Sequence, residues 1–240
     1  MMSEKANLIL SLDKRLIVSC QALEGEPLFG TEAIIQIAKA VAEGGAAAIR
    51  ANGFSEIKSM RELVKLPIVG LNKRYIENYP VFITPTYEDA VLVIEAGADI
   101  VALDCTKRKR PESLENIFTK IRATYPNILI MADVSSLDDA RSVVGLAPDI
   151  IATTLSGYTE DTLDRERPDI DLVRLLAREF EVPVNAEGNF WTPDQVLDAF
   201  RAGAHTVTVG SAITRPKMIT ERFVNIIKDE FSSLNRVENL

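Results

Sequence analysis

Two side chains in this sequence, Lys73 and Glu187, have the chemistry for proton transfer, and each lies at or just past the end of a short apolar run. A free lysine has a pKa of about 10.4, so a base near pH 7 needs its neutral form favoured by about 4 kcal/mol. Burial and nearby positive charge act in that direction, and Arg74 and Arg50 are candidates to supply the charge. Glu187 is the matching acid. Each residue alone would more often be a surface charge or an ion-pair partner, but together they predict acid–base catalysis.

Two glycine-containing segments predict a phosphate site. Gly188 lies in the segment AEGN, whereas Gly210 and Ser211 open the segment GSAITRP, which also contains Arg215. Glycine lets backbone N–H groups approach a phosphate closely, and an arginine adds a planar pair of donors. Two ordinary glycine turns are the alternative interpretation of the same residues.

Composition disfavours several classes of function. The 240-residue chain has a formal net charge of −8, which argues against nucleic acid and anionic membranes as partners. The one histidine, His205, precedes an apolar run and so enters it from the end away from the predicted site, and no Ser–His triad is expected. No cluster of Asp, Glu and His has the spacing of a metal site, so none is predicted. Cys20 and Cys105 are far apart and are predicted to be reduced thiols.

The candidate residues are brought together because the chain repeats a strand–helix unit eight times. Strands are predicted at Leu16–Cys20, Ala47–Arg50, Ile68–Leu71, Asp99–Leu103, Ile128–Ala132, Asp149–Thr153, Val184–Glu187 and Thr206–Val209. Nearly continuous apolar runs are typical of parallel strands buried on both faces. Amphipathic segments separate most of them, and Ser3–Lys14 is predicted to form an extra N-terminal helix that closes the bottom of the sheet.

These elements predict an α/β fold, a single (β/α)8 TIM barrel of the phosphate-binding type over residues 1–240. Active sites of such barrels lie at the C-terminal ends of the strands, with phosphate held after strands seven and eight. Lys73 then follows the third strand and Glu187 ends the seventh. Asp104 and Asp133 are equally well placed to orient hydroxyls or the lysine. An open doubly wound sheet is the competing fold, but neither its G-x-G-x-x-G motif nor a P-loop is present.

Motifs along the chain resemble the N-acylglucosamine-6-phosphate 2-epimerases, also called N-acetylmannosamine-6-phosphate epimerases. The resemblance runs in order over about 200 residues. Mild departures at Asn185 and at Phe190-Trp191 are expected to alter the lining near the seventh strand. The motifs that carry it are LIVSCQALEGEP (Leu16–Pro27), AIRANG (Ala48–Gly53), NKR (Asn72–Arg74), ITPT (Ile83–Thr86), LDCTKRKRP (Leu103–Pro111), MADVSS (Met131–Ser136), TTLSGYT (Thr153–Thr159), AEGNFWTPDQ (Ala186–Gln195) and VGSAITRP (Val209–Pro216).

The resemblance implies interconversion of N-acetylmannosamine 6-phosphate and N-acetylglucosamine 6-phosphate, in sialic acid catabolism, by deprotonation and reprotonation at C2 without a cofactor. It puts the catalytic base on Lys73 and gives Glu187 a catalytic role. The sugar and its N-acetyl group are expected to contact Gln21, Arg50, Asp133 and Tyr158. The phosphate is expected to contact Gly188, Gly210, Ser211 and Arg215.

Two other functions are compatible with the same residues. One is a lyase in which Lys73 forms a Schiff base, and the other is a sugar-phosphate sensor without catalysis. We also expect a homodimer, because the apolar residues of the last helical segment, Met218–Phe231, lie on more than one side. No apolar run approaches the roughly 20 residues of a membrane span, and no signal peptide is recognisable, so a cytoplasmic location is expected.

Overall fold

Eight parallel strands close into a barrel in the order in which they occur along the chain, with the last strand paired to the first. The computed structural model describes residues 3–22 and 24–237. The strands are β1 (Arg15–Cys20), β2 (Ala48–Asn52), β3 (Ile68–Leu71), β4 (Ile100–Asp104), β5 (Leu129–Asp133), β6 (Ile150–Ala152), β7 (Val184–Glu187) and β8 (Thr206–Val209). The predicted TIM barrel is therefore confirmed, with strand bounds within one or two residues of those expected.

The described α-helices are α1 (Glu4–Ser11), α2 (Thr31–Glu43), α3 (Phe54–Leu63), α4 (Tyr87–Glu95), α5 (Leu114–Thr124), α6 (Leu137–Val143), α7 (Ile170–Glu179), α8 (Pro193–Ala202), α9 (Ser211–Thr214) and α10 (Pro216–Val237). Seven of the described helices, α2 to α8, connect consecutive strands, whereas α1 precedes the first strand and α9 and α10 follow the last. The sequence did not predict α3, whose polar composition leaves only Ile57 and Met60 buried. None of the described helices is both long enough and apolar enough to cross a membrane.

The first helix closes the bottom of the barrel, as expected. Leu12 is fully buried in the cluster that fills the barrel interior, and Leu8 and Ile9 pack against the same cluster. His205 lies at this end, where its Nε2 atom is 2.8 Å from the carbonyl oxygen of Ile9 and its Nδ1 atom is 3.2 Å from the carboxylate of Asp13. The histidine therefore ties the N-terminal segment to the barrel, at the end opposite the catalytic mouth.

Two aspartates in equivalent positions link neighbouring strands by hydrogen bonds at the same end of the barrel. The Oδ2 atom of Asp99, just before β4, accepts hydrogen bonds from the first N–H of β3 and from Arg61. Fifty positions later, the Oδ2 atom of Asp149, just before β6, accepts the corresponding bonds from an N–H of β5 and from Arg122. The buried N–H groups at the entry of two strands are satisfied in this way, which a closed barrel requires.

Gly70 in β3 lets two helices approach the strand that leads to Lys73. A Cβ atom added at Gly70 would lie 2.7 Å from the Cβ of Ala98, 3.1 Å from Ile57 and 3.3 Å from Val93. We therefore expect Gly70→Ala to lower the free energy of unfolding by about 1–3 kcal/mol through overpacking, measured by urea denaturation. Gly145→Ala is the matched control, because nothing lies within 4 Å of an added Cβ there. Equal stability of the two variants would contradict this account of the packing.

Candidate active site

A cavity of about 420 Å³ opens at the C-terminal ends of the strands, where barrel active sites lie. Residues in or after β1, β2, β3, β7 and β8, and residues after β6, contribute to its wall. The wall combines charged and polar side chains with apolar and aromatic ones. The lining consists of Ser19, Gln21, Arg50, Leu71, Lys73, Phe82, Ile83, Thr154, Leu155, Tyr158, Glu187, Gly188, Asn189, Phe190, Trp191, Thr208, Gly210, Ser211, Thr214 and Arg215.

Nine of the ten predicted site residues lie in this wall, and the exception is Asp133. Its carboxylate is fully buried beneath Arg50 and does not line the cavity. Contact between Asp133 and a sugar, as expected from the sequence, is therefore not what the geometry provides. Asp104 is also outside the wall, because its carboxylate pairs with Arg108 at 2.6 Å.

Arg50 is the electrostatic centre of the site. Its side chain is 1% exposed, and its guanidinium faces Asp133 with NH2–Oδ2 and NH1–Oδ1 distances of 2.5 and 3.2 Å. On the cavity side, NH1 is 3.2 Å from Oε2 of Glu187. Thr154 donates to Oδ1 of Asp133 at 2.7 Å. A buried charge is tolerated only when it is paired and hydrogen-bonded in this way.

Glu187 is poised to exchange a proton near neutral pH. Burial is the main cause that raises its pKa to about 7, and the nearby Asp133 charge acts in the same direction. The positive charges of Arg50 and Lys73 oppose the increase without cancelling it. The side-chain amide of Asn185 donates to Oε2 of Glu187 at 3.3 Å, so the unusual Asn185 contributes directly to the setting of this carboxyl group.

Lys73 is shifted toward its neutral form. Burial, followed by the charges of Arg50 and Arg215, lowers its pKa to about 8, and Glu187 partly opposes the decrease. The expected contribution of Arg74 is wrong, because its guanidinium turns away and forms an ion pair with Asp89 at 2.7 Å. Arg215 takes the role that the sequence assigned to Arg74. The cavity therefore holds a lysine and a glutamate whose pKa values lie about one unit apart.

The loops after β7 and β8 form the predicted phosphate side of the cavity. Gly188 has a φ of +120°, a conformation open to glycine but strained for other residues. At Gly210, an added Cβ would lie 3.3 Å from the Cβ of Ser19, so the chain passes close to β1 here. Arg215 follows the short helix α9 and reaches the same wall, with its NH1 atom 3.5 Å from a carboxylate oxygen of Glu26.

Gln21 lines the cavity and has one buried acceptor without a partner in the described part of the chain. Its Nε2 atom donates to Ser19 at 3.0 Å. Its Oε1 atom, in contrast, is the one buried side-chain oxygen or nitrogen without a hydrogen-bond partner among the residues that the structure describes. Such a group in a folded protein calls for an explanation, and a ligand donor is one.

Sequence reasoning missed the apolar part of the wall. Phe82 and Ile83 reach the cavity because the segment after β3 turns back on itself, so that Ile83 pairs with Lys73 in an antiparallel bridge. Phe190 and Trp191 join the wall after β7. The motif ITPT includes Ile83 without indicating that it faces the site, whereas the Phe190-Trp191 pair was expected to alter the lining near the seventh strand. In the part of the chain described, no three His, Cys, Asp or Glu side chains are grouped to hold a metal ion.

Comparison with known proteins gives consistent matches over most of the chain. A family model described as "Putative N-acetylmannosamine-6-phosphate epimerase" (NanE) matches residues 34–229. Two proteins described as "Putative N-acetylmannosamine-6-phosphate 2-epimerase", from Caldanaerobacter subterraneus subsp. tengcongensis and from Enterobacter sp. strain 638, are 48% and 43% identical to this chain. The alignments cover 93% and 90% of this chain, and 95% and 94% of the relatives.

A solved structure supports the same grouping. The N-acetylmannosamine-6-phosphate 2-epimerase from Clostridium perfringens superimposes with a TM-score of 0.88 at 38% identity, over 91% of this chain and 96% of that one. Sequence, fold and the placement of the cavity at the mouth of the barrel agree. The chain belongs to the N-acetylmannosamine-6-phosphate epimerase (NanE) family of carbohydrate-phosphate isomerases.

Proposed function

We propose that the cavity interconverts N-acetylmannosamine 6-phosphate and N-acetylglucosamine 6-phosphate, a step in sialic acid catabolism, by moving the proton at C2, with Lys73 as base and Glu187 as its acid partner. The observation that carries this proposal is the presence of both groups in one cavity with pKa values of about 8 and about 7. Acid–base catalysts work best when their pKa values lie near the working pH.

The chemistry requires the open-chain form of the sugar. In the closed ring the C2 proton is hardly acidic, whereas beside the C1 aldehyde its removal leaves an enolate. Glu187 takes the proton from the C1 hydroxyl and delivers a proton to the ring oxygen. The bond between C1 and the ring oxygen then breaks, which opens the ring. Lys73 then removes the C2 proton and becomes an ammonium group. The same group returns a proton to the opposite face of C2, which gives the epimer and restores the neutral amine. No oxidant is consumed, because the carbon is activated by the aldehyde itself, and no cofactor is needed.

Arg50 stabilises the negative charge that develops during the reaction. Its guanidinium lies between the fixed Asp133 and the Glu187 carboxylate, so the negative charge that develops on the enolate oxygen meets a positive group already in place. Preorganised charge of this kind is a main source of catalysis. Asp133 acts through Arg50 and not on the sugar.

The remaining wall residues divide between the two ends of the substrate. Gln21 and Tyr158 contact the sugar and its N-acetyl group at the mouth. Gly188, Gly210, Ser211 and Arg215 hold the phosphate. Because a sugar phosphate is charged and stays in the compartment where it is made, we place the reaction in the cytoplasm.

The proposal predicts exchange of the C2 proton with solvent. With N-acetylmannosamine 6-phosphate in D2O, NMR is expected to show deuterium at C2 and growth of the gluco epimer. Lys73→Ala is expected to lower both rates by about 10²–10⁴-fold, the usual contribution of a general base, while circular dichroism shows an intact fold.

Lys120→Ala is the matched control, because Lys120 lies on α5 and pairs with Glu112 outside the cavity. Near-normal turnover by folded Lys73→Ala would refute the assignment of the base. Borohydride trapping of a covalent adduct at Lys73 would favour the Schiff-base lyase instead. Binding without exchange at C2 would identify a sensor.

Arg215 is expected to recognise the phosphate. Since hydrogen bonds to charged groups are worth about 1.5–3 kcal/mol, Arg215→Ala is expected to lower kcat/KM for the phosphorylated sugar roughly 10- to 100-fold. The rate with unphosphorylated N-acetylmannosamine is expected to fall much less, because there the loss acts only through the rise in the pKa of Lys73. Arg201→Ala, at an exposed ion pair on α8, is the control. An equal loss with both sugars would contradict a role at the phosphate.

We also propose that the protein is a homodimer that buries the apolar face of α10. Phe223, Val224, Ile226, Ile227 and Phe231 are all exposed along this helix, and contiguous apolar surface of this kind marks interaction sites. Sedimentation equilibrium is expected to give twice the mass of one chain. The double variant Phe223→Asp/Ile227→Asp is expected to be monomeric, and Asn225→Asp is the charge control. A monomeric wild-type protein would refute the dimer.

A further inference from the structure

Asp89 receives more hydrogen bonds than the start of a helix requires. It is the third residue of α4 and is 3% exposed. Its Oδ2 atom accepts from the N–H and the hydroxyl of Thr86, at 3.2 and 2.7 Å, and Thr86 accepts from the N–H of Asp89 in return. These contacts complete a capping box by themselves. Any further bonds to Asp89 therefore call for another explanation.

The further bonds come from the two residues that flank Lys73. The Oδ1 atom of Asp89 accepts from Nδ2 of Asn72 and from Nε of Arg74, both at 2.8 Å. The Oδ2 atom accepts from NH2 of Arg74 at 2.7 Å. One buried carboxylate thus holds the side chains before and after the lysine, and the pairing with Arg74 uses the geometrically specific two-pronged arrangement.

The main chain around Lys73 is held as well. The N–H of Lys73 donates to Oδ1 of Asn52 at 2.8 Å, which ties it to the end of β2. Asn72 and Thr84 exchange two bonds, from Asn72 N–H to the Thr84 hydroxyl at 3.1 Å and from Thr84 N–H to the Asn72 carbonyl at 2.8 Å. Thr84 has a φ of +47°, a strained conformation for a β-branched residue that persists only where its surroundings impose it.

We propose that Asp89 is a positioning residue for Lys73: by holding Asn72 and Arg74 it fixes the backbone from which the lysine side chain enters the cavity. The proposal rests on the role of Lys73 as the base in the proposed function. A base must stay within hydrogen-bond reach of the proton that it takes, and a displacement of about 1 Å can cost about 10²-fold in rate. Asp89 itself does not line the cavity, so it acts only through Lys73.

Two variants weaken the hydrogen bonds of Asp89 to Asn72 and Arg74 to different extents. Arg74→Ala removes two of the bonds to Asp89 at a side chain that is 47% exposed, and leaves the capping box in place. Asp89→Asn also weakens the capping box. Both are expected to lower kcat by about 10- to 100-fold while KM changes by less than about threefold. Arg74→Lys, which keeps the charge but not the planar fork, is expected to lose less.

A second readout concerns the titration of the lysine. In the wild-type protein burial and the charges of Arg50 and Arg215 lower the pKa of Lys73 to about 8. A lysine released from that position returns toward 10.5. In the pH profile of kcat/KM, the limb that reports deprotonation of Lys73 is therefore expected to move to higher pH in both variants. A purely structural role for Asp89 would lower the melting temperature and leave this limb in place.

Asp139→Asn is the matched control. Asp139 is the third residue of α6, is buried, and accepts bonds from Lys107 N–H and from the N–H and hydroxyl of Ser135 at 2.9, 3.0 and 2.6 Å. It does not line the active-site cavity. Loss of stability is expected in Asp139→Asn, with the pH limb unchanged.

Chemical labelling separates failure of this proposal from failure of the proposed function. The pH dependence of Lys73 acetylation by acetic anhydride, followed by peptide mass spectrometry, reports its titration without any turnover. A midpoint that rises in Arg74→Ala together with a lower kcat supports both proposals. A midpoint that rises while kcat stays normal supports the positioning role of Asp89 and overturns Lys73 as the base. If Arg74→Ala is folded and keeps both the wild-type midpoint and the wild-type kcat, the positioning role of Asp89 is wrong.

Discussion

The chemistry of this barrel depends on one buried guanidinium. Arg50 enters from β2 and reaches Asp133 at the end of β5, well around the barrel, so that a single side chain spans the interior. Its charge is balanced by Asp133 below and shared with Glu187 above. A second cation placed in the same space, Lys73, can hold its proton only weakly, because desolvation and a nearby like charge both favour the neutral amine.

The barrel beneath this group is built to keep it fixed. The lower interior is an apolar layer that includes Ile17, Val69 and Ile100, closed from below by Leu12, the residue that follows α1. The charged layer lies above it, at the ends of the strands, where loops of different sequence can add groups without disturbing the core. The side chains next to Lys73 are held in the same way, since Asn72 and Arg74 both donate hydrogen bonds to Asp89. Rigid placement makes small differences in proton affinity useful for catalysis.

Much of this arrangement was predictable from the sequence. Parallel strands must end at the same rim, so residues such as Lys73, Glu187 and Arg215 could be assigned to a common mouth from their place after apolar runs. The sequence did not predict how deeply each side chain is buried in the mouth. Asp133 ends β5, yet its carboxylate is buried under Arg50 and does not line the cavity. The direction of Arg74 was equally hidden, because its partner Asp89 lies 15 positions along the chain in a helix whose start gives no sign of that contact. The helix α3 escaped prediction because its apolar stripe is too narrow to give a clear period.

The central claim is that Lys73 acts as a base because its surroundings lower its pKa from that of an ordinary lysine. Carbon NMR of the protein labelled at the lysine ε-carbon measures that pKa directly. The Lys73 signal is identified by its loss in Lys73→Arg. The account predicts a titration midpoint at about 8 for Lys73. A Lys73 signal that titrates near 10.5 in a folded protein would contradict it.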